Sequence, residues 1–327
     1  MARPRIEQQS FCRARGCFRA AALGAVLVLG FALAAEPAQA QTTGANAREV
    51  VTLHQGPVQL NGDLIQLNTL LFEAAKGGHT EDAALLLDRG ASVVARDRIG
   101  NTALLLAART NRRALVELLL EAGSDLDHQN LHGSTALLRA AEAGRGKIAR
   151  LLIERGADIE LASRQGVTPL AAAAFEGDRR LVQALIEAGA KPAVPDRSGK
   201  TALAYAAARG FAGIAALLLD AGAEVDARLG NELTALMWAA GHSNDVPARD
   251  AKETLGLLVE RGAALDLQDN RGRSALMIAA AMGHREAVAL LLAAGAQSGL
   301  TDQDGKTARD LAREAGQSET VALLDGG

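Results

Sequence analysis

The chain has 327 residues, 49% hydrophobic and 22% charged, a composition that suits one or two ordinary globular domains or one long array. Aromatic residues make up only 2%, so the core must be built from Ala, Leu, Val and Ile, which favours closely packed small helices over a cupped substrate pocket. The formal net charge is −3, and an acidic total with scattered arginines argues against a nucleic-acid partner, which calls for a basic face.

The first forty residues stand apart. Arg3, Arg5, Arg13, Arg15 and Arg19 precede an apolar run from Ala20 to Ala35, and Ala38-Gln39-Ala40 follows. A positive head, an apolar middle and a small-x-small end are the parts of a secretory signal peptide, predicted to be cut after Ala40. An uncleaved anchor fits less well, because the run is shorter than the roughly 20 residues of a spanning helix and two glycines interrupt it. The expected location is therefore periplasmic or secreted, with no membrane insertion after cleavage. Cys12 and Cys17 both fall in this leader, so the mature chain is expected to hold no disulfide and no cysteine nucleophile. Both also precede the apolar run, whereas a lipoprotein cysteine would follow it. Taking the leader's five arginines and two glutamates from 35 basic and 38 acidic residues leaves 30 and 36, a net of −6. Residues 41–67 carry no clear pattern and are read as a loose lead-in followed by the start of a first cap.

From residue 68 onward one period governs the chain. Gly90, Gly123, Gly156, Gly189 and Gly222 follow at steps of 33; a step of 40 leads to Gly262, and 33 more to Gly295. A second series, Gly100, Gly133, Gly166 and Gly199, then Gly272 and Gly305, runs in phase with the first. Between the two, each unit carries Asn101-Thr-Ala-Leu, Ser134-Thr-Ala-Leu, Val167-Thr-Pro-Leu, Lys200-Thr-Ala-Leu, Leu233-Thr-Ala-Leu or Arg273-Ser-Ala-Leu. The threonines Thr102, Thr135, Thr168, Thr201 and Thr234 are placed to cap a first helix. Small pairs such as Ala107-Ala108 and Ala206-Ala207 let neighbouring helices approach, while Leu118-Leu119-Leu120, Leu151-Leu152-Ile153 and Leu290-Leu291-Leu292 fill the seam from a second helix. Each second helix is expected to close at glycine. Stretches such as Ala190–Gly199 are too rich in Pro, Asp and Gly for helix and read as exposed hairpins. Seven units result: 68–100, 101–133, 134–166, 167–199, 200–232, 233–272 and 273–305. Residues 306–327 form a shortened, more polar terminal cap. The sixth unit carries seven extra residues, which the alignment of its leucines puts in the inter-helix loop, around Gly241 to Glu253.

This pattern resembles the ankyrin repeat in its period and in its Thr-Pro-Leu motif, although the proline survives only at Pro169 and the motif histidine is replaced at Leu105, Leu138, Ala171, Ala204, Met237 and Met277. The resemblance covers residues 68–327. It implies an all-α solenoid of helix-turn-helix units joined by β-hairpin-like loops, and a non-catalytic scaffold gripping a protein by its hairpin tips and concave helix face. By position it nominates Arg98, Ile99, Arg109, Leu131, His132, Glu142, Arg164, Gln165, Phe175, Glu176, Arg197, Arg209, Asn270, Arg271 and Met282. Similarity to exported bacterial ankyrin-repeat proteins implies one alternative, an accessory or stabilising factor for an envelope enzyme; a second, a secreted effector released beyond the cell, stays open because the sequence holds only a general export signal.

No catalytic motif appears: there is no phosphate-binding glycine loop, no Gly-x-Ser-x-Gly and no His-Glu-x-x-His. No cofactor or metal is expected, and the protein is expected to act as a monomer. His128 and His132 lack a third ligand and read as loop residues. His79 and His284 follow a glycine in the inter-helix loop, where ankyrin repeats use histidine for local hydrogen bonds. Arg112-Arg113 and Arg179-Arg180 read as solvated helix starts. Four of the five aromatics after residue 40 fall between 175 and 238, and Tyr205 and Trp238 are 33 apart, which places them side by side on neighbouring first helices. Two readings of them stay open: core filling, or an interface hot spot extended by His242, Asn244 and Asp245 of the long loop. Asn244, Asp245 and Asp250 fall short of the six or more oxygens that calcium needs.

Overall fold

The computed structural model describes residues 49–60, 62–228, 230–243 and 245–326. The leader with its two cysteines, and Asn244, lie outside the described residues.

Within residues 41–67, of which 49–60 and 62–67 are described, the chain forms a β-hairpin. Strands β1 (Glu49–Leu53) and β2 (Gly56–Leu60) pair antiparallel, Glu49 opposite Leu60 and Leu53 opposite Gly56. Val51 and Leu60 are buried in the same core as the helices. The His54 amide donates to the Asp82 carboxylate at 3.0 Å, and the His54 ring stacks on His79 with centroids 4.1 Å apart. Among the described residues no helix pair precedes the first one, and this hairpin packs on it with Val51 and Leu60. Residue alternation with a period of two lies outside a ruler of 33, which is why the glycine register does not reveal it.

Eight helix pairs follow. They are α1 (Leu64–Gly77) and α2 (Thr80–Asp88), α3 (Ala103–Ala107) and α4 (Arg113–Glu121), α5 (Ala136–Glu142) and α6 (Gly146–Glu154), and α7 (Pro169–Glu176) and α8 (Arg179–Glu187). After them come α9 (Ala202–Ala208) and α10 (Ala212–Asp220), α11 (Ala235–Ala240) and α12 (Ala248–Glu260), α13 (Ala275–Met282) and α14 (Arg285–Ala293), and α15 (Ala308–Glu314) and α16 (Ser318–Asp325). Odd-numbered helices pack on odd-numbered neighbours and even on even, so each pair buries its apolar side against the pair before and the pair after. The inner seam is alanine: Ala140, Ala141, Ala173, Ala174, Ala206 and Ala207 are all buried, and Leu119, Leu152, Leu185, Leu218, Leu258 and Leu291 reach it from the second helices.

Thr135, Thr168, Thr201 and Thr234 cap their helices, each hydroxyl accepting from the amide three residues on at 3.2–3.3 Å, and Ser274 does the same at 3.4 Å. Thr102 departs from the expectation. Its backbone is extended like the others, but its hydroxyl is buried and makes no hydrogen bond, and α3 is the shortest helix of the set. The two cases predict opposite outcomes for one chemical change. Thr168→Val is expected to cost about 1 kcal/mol, the usual worth of a cap. Thr102→Val removes a buried group without a partner and should be neutral or stabilising. Urea midpoints of the two variants compare them directly, and equal losses would refute the distinction.

The extra length of the sixth unit is shared between loop and helix rather than confined to the loop. Helix α12 runs 13 residues where α10 and α14 run 9, and its additional turn reaches back to α9. Ala248–Glu253 contains no helix breaker, so once Pro247 has started the helix those residues continue it.

Candidate functional site

The hairpin tips are fastened twice, once within each unit and once between units. Asp97, Asn130, Ser163, Asp196, Asp269 and Asp302 each accept the amides two and four residues ahead, fixing the turn. These side chains recur at the repeat period. The sequence carries this series at the same spacing as the glycines. Between units, Leu131 donates its amide to the Ile99 carbonyl at 2.9 Å, Arg164 to His132 at 2.7 Å, and Arg197 to Gln165 at 2.8 Å. Asn270 donates to Asn231, and Gln303 to Arg271, each at 3.0 Å. The backbone of these nominated tip residues is thus committed to the ladder. Their side chains at Arg98, Ile99, Leu131, His132, Arg164, Gln165, Arg197, Asn270 and Arg271 are exposed.

On the first-helix face, Arg109, Glu142, Phe175, Glu176 and Met282 are exposed, and Tyr205, Arg209 and Trp238 are half-buried. Tyr205 and Trp238 do not meet ring to ring. The Lys200 ammonium lies over both, 5.7 Å from the Tyr205 centroid and 4.9 Å from that of Trp238. Tyr205 meets Phe175 of the preceding unit instead, edge to face at 5.7 Å and 82°. Its hydroxyl donates to Asp196 at 2.5 Å, so a tip-fixing carboxylate also sets the ring's orientation. Burial, then the hydrogen bond to Asp196 and its charge, hold the Tyr205 proton well above the ordinary phenol range. Burial raises the Asp196 carboxyl pKa, but the Tyr205 hydroxyl, the Lys200 and Ser198 amides and the Ser198 hydroxyl outweigh it and leave it below the usual carboxylate range. Arg209 sits over Phe175 at 5.1 Å and pairs with Asp245 of the long loop at 3.2 Å.

A small cavity of about 280 Å³ opens on this face. Val167, Ala171 and Ala172 form its floor, Phe175 and Tyr205 its walls, and Glu142 and Glu176 its rim. The aromatic centre therefore falls at Phe175 and Tyr205, one unit earlier than the 33-residue spacing of Tyr205 and Trp238 suggests.

His242, expected among the polar contacts of the loop, is only 6% exposed. Its ring stacks on His284 with centroids 3.8 Å apart, its Nδ1 lies 3.1 Å from the Ala239 carbonyl, and His284 Nδ1 lies 2.9 Å from that of Ala240. The pair pins the loop to the seventh unit, so His242 is unavailable to a partner. Burial and the neighbouring His284 lower the His242 pKa against the opposing pull of the Ala239 carbonyl and Glu286. The folded protein thus keeps His242 neutral where the unfolded chain, with an ordinary value of about 6.5, takes up a proton. Stability from this site is complete above that value and falls as pH drops below it. Urea midpoints at pH 7.5 and 5.5 are expected to differ more for the native chain than for His242→Gln, and an identical pH dependence would discard the assignment.

Metal chemistry gains no support from the described residues, among which no group of three or more His, Cys, Asp or Glu is placed to hold an ion. His128 Nε2 lies 2.8 Å from the Gly100 carbonyl, while His132 is exposed at its tip. Asp245 is engaged by Ser243 and Arg209. No described helix is long and apolar enough to cross a membrane. A family model of ankyrin repeats (3 copies) matches residues 46–130, 71–163, 122–196, 170–248 and 246–326. No curated protein matches the chain.

Proposed function

The chain belongs to the ankyrin-repeat family, whose repeats mediate protein–protein binding, and on that premise we propose that it is a non-catalytic scaffold, periplasmic or secreted, that holds one protein partner. The partner lies along the hairpin tips and the first-helix face. One observation supports this reading above the others. Of the seven exposed large hydrophobic side chains among the described residues, Ile99 (44%) and Leu131 (54%) stand on hairpin tips, and Phe175 (42%) and Met282 (47%) stand near the ends of first helices. Single exposed apolar side chains are ordinary, whereas those carried on tips and helix ends whose backbone is already fixed cost little ordering on binding.

The location rests on the leader in residues 1–40, with its basic head, apolar run and Ala38-Gln39-Ala40 end. Fractionation with N-terminal sequencing is expected to give Gln41 as the first residue. For the binding face, Phe175→Ala and Met282→Ala, each with an unchanged circular dichroism spectrum, are expected to lose the partner that the native chain retains in cross-linked pull-downs from the same compartment. Undiminished capture by both variants would remove this face from the interface.

A further inference from the structure

The cavity beneath Phe175 and Tyr205 has a chemistry that the general scaffold reading does not specify. At about 280 Å³ it lies just under the range of cofactor or drug-sized sites and suits a single long side chain. Its floor is apolar, its walls are two aromatic rings, and both charged groups on its rim are carboxylates, with no cation among its lining residues. Glu142 pairs with Arg139 at 3.1 Å, but the Glu176 side chain makes no hydrogen bond or ion pair among the described residues. The nearby cations touch the same rings but do not pair with Glu176: Lys200 spans Tyr205 and Trp238, and Arg209 bridges Phe175 and Asp245. These contacts also show that the rings of this cluster accept positive charge. The Tyr205 hydroxyl is tied to Asp196, so the wall is set before anything enters.

We propose that this cavity receives an arginine side chain from an extended segment of the partner protein, its methylenes on Ala171 and Ala172, its guanidinium against the aromatic walls and paired with Glu176. The assignment rests on the reading of this face as the binding surface. Glu142 is already matched by Arg139, so the one rim charge left without a partner is the Glu176 carboxylate, and its complement is a cation. Arginine suits the site better than lysine. Its planar, weakly hydrated guanidinium stacks on a ring and pairs with a carboxylate through two parallel N–H donors, whereas an ammonium is a strongly hydrated point charge.

The test is a titration of the isotope-labelled full chain with the blocked tripeptide acetyl-Gly-Arg-Gly-amide, followed by amide chemical shifts. The control tripeptide carries citrulline, which has the same shape without the charge. The arginine peptide is expected to shift Ala171, Ala172, Phe175 and Glu176 saturably. Both the citrulline peptide and the Glu176→Gln variant should bind between about threefold and tenfold more weakly, the range of a partly exposed ion pair with a cation–ring contact. Equal response to citrulline, shifts centred on Lys200 and Trp238, or free arginine binding more tightly than the blocked peptide would each overturn the proposal. If it is overturned while partner capture still depends on Phe175, the binding face stands and only the arginine assignment goes. Loss of both would remove the face as well.

Discussion

Leu152→Ala is expected to cost 2–5 kcal/mol and to separate the unfolding of the N-terminal units from that of the C-terminal ones. Leu152 lies on α6 with no exposed surface, and α6 packs on α5 of its own unit and on α4 and α8 of the neighbouring ones. Truncation removes buried methyl groups and leaves a cavity that the close-packed side chains around it can collapse into only in part. In a closed globule that loss would be spread over the whole fold. Here each helix pair touches only its neighbours in the stack, so stability is a sum of unit and interface contributions and one weakened interface can uncouple the two sides. The chain provides its own reporter, because its single tryptophan, Trp238, sits on α11, well to the C-terminal side of the defect. Helix content followed by circular dichroism should begin to fall at lower urea than in the native chain, while Trp238 fluorescence shifts less. A common midpoint for both probes, lowered equally, would mean that the array unfolds as one unit.

What the sequence conveys best is whatever repeats. The glycine register marks the ends of second helices, the threonine series marks the starts of first helices, and both survive the loss of proline and histidine from the motif because alanine starts a helix nearly as well. What it conveys least is whatever happens once. The β1–β2 hairpin has no counterpart in later units, and its Val51 and Leu60 declare themselves only by burial in the helical core. His242 reads as a polar loop residue because nothing local shows that His284, 42 positions on, will stack against it. Thr102 carries the same motif as its equivalents and still fails to cap, so identity of motif does not ensure identity of hydrogen bonding. The site falls between these cases. Each nominated residue follows from its position in the repeat, but the cavity draws Glu142, Phe175 and Tyr205 from three successive units. Only the stacking shows that Phe175, rather than Trp238, is the ring that meets Tyr205.

The two glycine series look alike in the sequence, yet they are held by different constraints, and one substitution in each should separate them. Gly123 ends a second helix with φ +88 and open space where a Cβ would stand. Gly123→Ala therefore meets only the left-handed backbone penalty, about 1–2 kcal/mol. Gly133 closes a hairpin tip with φ +74, and there a Cβ would come within 2.8 Å of the Arg164 backbone nitrogen. That nitrogen donates to the His132 carbonyl at 2.7 Å in the ladder joining one tip to the next. Backbone cannot rotate away as a flexible side chain can, so relieving the contact means lengthening the bond between units as well as bearing the local strain. Gly133→Ala is accordingly expected to exceed Gly123→Ala by roughly the worth of one hydrogen bond, about 0.5–1.5 kcal/mol. Amide hydrogen exchange locates the difference: Arg164 should lose protection in Gly133→Ala and keep it in Gly123→Ala. If Arg164 stays equally protected in both variants, the tip glycines serve the turn alone, and the ladder does not depend on the missing side chain.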